Sequence, residues 1–200
     1  MGKIKFKIGY QGFEYVRDRI ADILYDELDI QSQLNYDIDL DVEVLIERTN
    51  PIDKTEMSVI VVSLASGTYA NKNQGGVDGT YTYNVDVFTN SKTSASVPGD
   101  KNAALKLQRL LGLCRAILED PVYRTLGFAA PFISRVNCVD IKIADTGKDD
   151  AVNTAMGRLT FNVVLNESSK LLIPNLIDGY DTVVKLGETA NGYSYTGENY

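Results

Sequence analysis

The spacing of hydrophobic positions changes several times along this chain, and each change marks an element. Residues 3–8, Lys-Ile-Lys-Phe-Lys-Ile, alternate charged and apolar side chains at the two-residue period of a strand, so one face is all lysine. That pattern fits an edge strand whose lysines discourage stray pairing, or an arm that docks on a neighbouring subunit. From Phe13 the period turns helical. Phe13, Val16, Ile20, Ile23, Leu24 and Leu28 fall on one side, with Glu14, Arg17, Asp18, Asp22 and Asp29 largely on the other. This helix should end before Asn35. Alternation then returns: Asp37, Asp39, Asp41 and Glu43 share one strand face, and Ile38, Leu40, Val42 and Val44 share the other.

Residues 57–66 are so rich in β-branched and apolar side chains that they predict a strand covered on both faces. Residues 79–89 answer with Tyr81, Tyr83, Val85 and Val87 alternating against Thr80, Thr82, Asn84 and Asp86, which predicts a hairpin. Its connection, residues 67–78, reads as a loop far longer than a tight hairpin needs, and such loops are mobile or serve as binding arms. The Gly75-Gly76 pair within it lacks the Gly-Lys-Ser/Thr ending of a phosphate loop.

The best-marked helix lies within residues 100–127. Leu107, Leu110, Leu111, Cys114, Ile117 and Leu118 recur at spacings of three and four. Asp100 is the expected N-cap after Pro98-Gly99. Pro121 should break the helix, with Asp120 capping a second short helix and Gly127 closing it, giving a kinked pair. Beyond it, Val139, Ile141 and Ile143 share a strand face, and Leu159, Phe161, Val163 and Leu165 alternate in a long last strand, a second hairpin. The closing stretch from Gly187 is rich in Gly, Asn, Ser and Tyr, and is expected to order only against a partner.

Helix, three strands, paired helices and two strands in that order predict an α+β fold, an antiparallel sheet of about five strands packed against an N-terminal helix and the kinked helix pair. A single domain over residues 13–167 is expected, with a strand-like arm at 1–12 and a partly flexible extension at 168–200. The chain of 200 residues, 44% hydrophobic and 24% charged, has enough apolar surface for one core.

Charge and residue chemistry then narrow the function. A net charge of −7 disfavours binding to nucleic acid through phosphate neutralisation. Histidine is absent, which removes the usual general base of serine and cysteine hydrolases and the commonest zinc ligand. Cys114 and Cys138 lack metal-ligand spacing and read as ordinary thiols. Asp37, Asp39 and Asp41 invite comparison with a calcium loop, but Val42 stands where that loop needs glycine and Arg48 where it needs glutamate. A turn carrying Asp145, Asp149 and Asp150 is the best remaining candidate for a magnesium site. No run of residues has the length and apolarity of a membrane span, and the N-terminus lacks a secretory signal. No cofactor is expected.

The N-terminal amphipathic helix, the extended hairpin around Met57 to Thr89, the helix from Asp100, the Asp120-Pro121 break and the closing hairpin ending at Glu167 together resemble the tail terminator and head-to-tail joining proteins of tailed bacteriophages. The resemblance covers roughly residues 13–166 and involves no catalytic motif. It implies a structural virion protein, a homo-oligomeric ring of six or twelve copies at the head–tail junction. Neighbouring portal, neck or tail proteins would be its partners, and DNA would pass through without sequence-specific binding. On that reading Asp37, Asp39, Asp41 and Glu43 face the channel, where like charge keeps the duplex from adhering. Lys3, Lys5, Lys7, Tyr69, Asn71, Lys72, Asn73, Tyr193 and Tyr195 are the candidate contacts with other subunits. A tail tube or baseplate subunit is the alternative, followed by an acidic metal-dependent enzyme.

Overall fold

In the computed structural model the described residues are 9–34, 42–48, 58–72, 76–91, 98–144, 154–167, 180–185 and 192–197; for 71, 72, 76, 77 and the last two segments this covers the backbone alone. Helix α1 spans Gly12–Leu34, strand β1 Val42–Ile46, β2 Ser58–Lys72, β3 Gly76–Asn90, helix α2 Gly99–Leu118, β4 Ile133–Ala144 and β5 Thr154–Asn166. The five strands form one sheet in the order β1-β2-β3-β5-β4. Every neighbouring pair is antiparallel except β1 and β2, which run parallel. The fold is α+β as the periodicity predicts, with one parallel edge pair.

Both helices lie on one face of the sheet, and their apolar stripes build the core. Val16, Ile20, Ile23, Leu24 and Leu28 of α1 and Leu107, Leu110, Cys114 and Leu118 of α2 are buried against Ile60, Val62, Tyr81, Tyr83, Val85, Val87, Leu159, Phe161, Val163 and Leu165. The alternation of β3 and β5 follows from that one-sided cover. At Val59 to Val62, β2 is buried on both sides, as its unbroken apolar run predicts. The other side of β3 and β5 carries cross-strand polar pairs: Thr82 Oγ1 donates to Asn162 Oδ1 at 2.9 Å, and Arg158 grips Asp86 with two bonds of 2.5 and 2.8 Å.

Helix ends show what local chemistry decides. At α1, the Glu14 carboxylate accepts from the Gln11 backbone N–H at 2.7 Å, half of a capping box. The expected cap of α2 is corrected: the N-cap lies two residues earlier, at Pro98, with no side-chain cap bond, and Asp100 accepts from the adjacent Lys101 N–H at 2.8 Å instead. Pro98, held at φ −56°, already sets the entry to the helix, and its carbonyl receives Asn102 N–H at 3.1 Å. Asp120 does cap the next element, accepting from Val122 N–H at 2.9 Å, but that element is a single 3-10 turn, Pro121–Tyr123, rather than a second helix. The chain then turns through Gly127 at φ +80°. This turn is tied to α1 by Arg19 Nε donating to the Leu126 carbonyl at 3.1 Å and by the Tyr123 hydroxyl donating to Glu27.

Two further expectations change. The long loop at 67–78 is instead a continuation of the hairpin, because Gly67 pairs with Tyr81 and the ladder runs on to Lys72 opposite Gly76. Part of the C-terminal extension also has regular structure: β6, Tyr180–Lys185, and β7, Gly192–Gly197, pair antiparallel as a separate two-stranded sheet.

Candidate interaction surfaces

The sheet ends in two strands that have, among the described residues, a neighbour on one side only: β1 and β4. Such edges present unpaired backbone groups, so how each is protected matters.

On β4 the protection is partial. The ladder with β5 is interrupted between Ile133 and Arg135 and again between Cys138 and Asp140, which leaves Val139 without an opposite partner. The Cys138 N–H donates to Glu119 Oε1 at 3.3 Å, while Glu119 Oε2 receives Arg115 Nε at 2.8 Å. The last turn of α2 therefore closes the edge at Cys138. Beyond it Val139, Ile141 and Ile143 are 47%, 46% and 56% exposed. Sharing a face, they look like core residues in the sequence, but the strand that carries them is at the border of the sheet. Between them Lys142 Nζ and Asp140 Oδ2 lie 3.0 Å apart.

The hairpin of β2 and β3 is organised by Tyr81. Its ring stacks on Phe13 at 5.5 Å between centroids and meets Tyr69 edge-on at 5.7 Å. It also lies across two glycines: a Cβ at Gly67 would sit 2.7 Å from the ring, and one at Gly79 closer still. The hydroxyl donates to Glu167 Oε2 at 2.8 Å, and that of Tyr83 to the Phe13 carbonyl at 2.9 Å. Burial, followed by hydrogen bonding and the nearby Glu167 charge, holds the Tyr81 phenol well above its ordinary pKa; burial does the same for Tyr83. Tyr69 is 59% exposed, an aromatic ring presented to solvent on the paired strands of the hairpin.

The remaining sequence-selected residues are dispersed. Glu43 is exposed on the edge strand β1, while Asp37, Asp39 and Asp41 lie outside the described residues, as do Lys3, Lys5, Lys7 and Asn73. Backbone pairing places Asn71 opposite Val77 and Lys72 opposite Gly76, with Tyr193 opposite Val184 and Tyr195 opposite Thr182 on the separate ribbon. The apolar strip of β4 is the surface that the sequence reading missed. Its alternation was visible, whereas its place at the edge depends on strand order.

Among the described residues no group of three or more Cys, Asp or Glu side chains is arranged to hold a metal ion, and Asp145, Asp149 and Asp150 lie outside them. Burial pushes the Cys114 thiol up to about 12, and it also raises the Cys138 thiol. Both thiols are thereby kept from the thiolate form that nucleophilic chemistry needs. Among the described residues no helix is long and apolar enough to cross a membrane. No protein-family model matches the chain, and no curated protein matches it at a significant level.

Proposed function

We propose that this chain is a structural virion subunit that assembles with copies of itself into a ring at the head–tail junction of a tailed bacteriophage, as a tail terminator or neck ring through which DNA passes. The observation that best supports assembly is that, among the described residues, β1 and β4 each have a neighbouring strand on one side only, and β4 carries the exposed Val139, Ile141 and Ile143. Apolar side chains beside unpaired backbone are the means by which one chain adds a strand to another. The order of elements that underlies the resemblance, from the amphipathic helix through the extended hairpin to the closing hairpin, is consistent with the phage assignment. An acidic row with Glu43 at its end, facing a channel, would repel phosphate and let the duplex slide. The lysine face at residues 3–8 would meet an acidic neighbour.

Native mass spectrometry and negative-stain electron microscopy of the purified chain test the proposal. A closed ring of six or twelve copies is expected. Long open tubes would favour the tail tube or baseplate reading, and a monomer at every concentration would overturn both. The channel assignment has its own test. Reversing Glu43 to Lys should leave the ring intact and make it retain duplex DNA in a gel-shift assay at low salt.

A further inference from the structure

We infer that β4 is a self-complementary contact through which two copies of this chain pair, antiparallel, about a two-fold axis at Ile141. The residues concerned are Val139-Asp140-Ile141-Lys142-Ile143. Placed against a second copy with Ile141 opposite Ile141, this run sets Asp140 across from the second copy's Lys142, and Lys142 across from its Asp140. Val139 then meets Ile143 on both sides of the axis. Every directly opposed pair is either apolar on apolar or of opposite charge, the two pairings that stabilise an antiparallel ladder. Neighbouring registers fail. Centring on Asp140 opposes two carboxylates, and centring on Lys142 opposes two ammonium groups.

Three structural features point to the same register. The apolar members of the run are about half exposed, with no described element over them, so they are available to a second sheet edge. The Asp140 and Lys142 side chains are 43% and 74% exposed, and their contact within one strand can be exchanged for contacts across the axis. Glu119 occupies the Cys138 N–H, so the open edge begins at Val139, where the symmetrical run begins. A two-fold axis perpendicular to the sheet keeps the helices of both copies on one side. Ile141 and Ile143 would then extend the apolar layer that Leu159 begins on β5, since Ile141 is paired with Leu159.

Such an interface is isologous and small, and belongs with weak, concentration-dependent contacts. It does not rest on the ring proposed above. Within that assembly it joins subunits of two stacked rings; outside it, the product is a dimer.

Sedimentation velocity on the full chain, followed by a charge exchange, tests the inference. The wild-type species should double in size at about 100 µM, ring on ring where the chain sediments as a ring and chain on chain where it sediments singly. Asp140→Lys and Lys142→Asp each turn two attractive pairs into repulsive ones and should each weaken pairing by about tenfold. The double exchange Asp140→Lys/Lys142→Asp restores opposite charge across the axis and should return affinity to within about threefold of wild type. Circular dichroism melts should be unchanged throughout, because both side chains are exposed. In a Cys138→Ser background, Ile141→Cys should form an intermolecular disulfide on mild oxidation, linking copies strictly in twos. If single and double exchanges behave alike, or if no such disulfide forms, the contact is not the one inferred, and a ring that persists without it would leave the proposed function standing.

Discussion

The Tyr81 hydroxyl donates to Glu167 Oε2 at 2.8 Å, joining the middle strand of the sheet to the residue that follows its last strand. The other carboxylate oxygen, Oε1, is buried without a hydrogen-bond partner among the described residues and lies 3.0 Å from where a Cβ at Gly12 would stand. Start of α1, the β2–β3 hairpin and the end of β5 thus converge on one carboxylate that accepts, among the described residues, a single direct bond. Its position near the first turn of α1 is favourable to negative charge.

Removing that one bond should therefore be costly for its size. Tyr81→Phe keeps the stacking on Phe13 but leaves both Glu167 oxygens unpaired, and should destabilise the fold by about 1–3 kcal/mol. Urea unfolding followed by circular dichroism measures it. A midpoint unchanged from wild type would mean that water replaces the phenol without penalty.

Alkaline pH should destabilise the protein through groups held protonated in its interior. Tyr81 and Tyr83 have pKa values raised above the ordinary 10.0, and Cys114 is raised from 9.0 to about 12, each with burial as the largest cause. In all three the folded chain holds its proton more tightly than the unfolded chain. Their contribution is fully present below the unfolded values and is lost as pH climbs through them towards the folded ones. Stability should begin to fall near pH 9 and decline by about 1.4 kcal/mol per pH unit for each group that has entered its window. Unfolding midpoints across the alkaline range report the slope. Cys114→Ala should remove the earliest part of the decline, and a flat profile to about pH 11 would contradict the proton accounting.

Thr89 offers a test of how α2 is seated. It is buried at the end of β3, and its hydroxyl donates to the Ala103 carbonyl in the first turns of α2 at 2.8 Å. Thr89→Val preserves shape and deletes the donor. The expected loss is about 1–2 kcal/mol, with hydrogen exchange at residues 99–107 accelerated more than in β5. Equal acceleration in both places would argue that the bond supports the whole fold rather than the helix end.

The elements that could be read from sequence are those whose surroundings are set by nearby residues. Tyr81, Tyr83, Val85 and Val87 declare a strand with one buried face, and all four are buried. The α1 stripe from Val16 to Leu28 is equally plain. One reading fell short and two features went unread, because a distant residue or strand order decided them. Gly, Asn and Lys within residues 67–78 resemble loop chemistry, yet the ladder continues because the Tyr81 ring covers the glycine positions on both strands. Val139, Ile141 and Ile143 alternate as core residues do, and only the strand order β3-β5-β4 leaves them at the border. The parallel pairing of β1 with β2 likewise has no local signal, since alternation is blind to strand direction.

Glycine under an aromatic ring gives the last prediction, and it concerns the hairpin that carries Tyr69. Tyr81 is directly opposite Gly67 in the ladder, and Gly79 precedes it by two residues on the same face, so the ring has a bare strip of backbone to lie on. The ring cannot swing away cheaply, being stacked on Phe13 and bonded to Glu167. Gly79→Ala must therefore displace Tyr81 or bend β3, at about 1–3 kcal/mol. Tyr81→Ala alone should cost about 3–5 kcal/mol, since a large buried aromatic is lost. Combining the two separates steric conflict from strand propensity. If the ring is what the added methyl strikes, the double variant should be no less stable than Tyr81→Ala, giving a coupling energy close to the whole penalty of Gly79→Ala. Additive losses in urea unfolding would instead assign the glycine a backbone role independent of the ring, and the hairpin's direction would have to be set elsewhere.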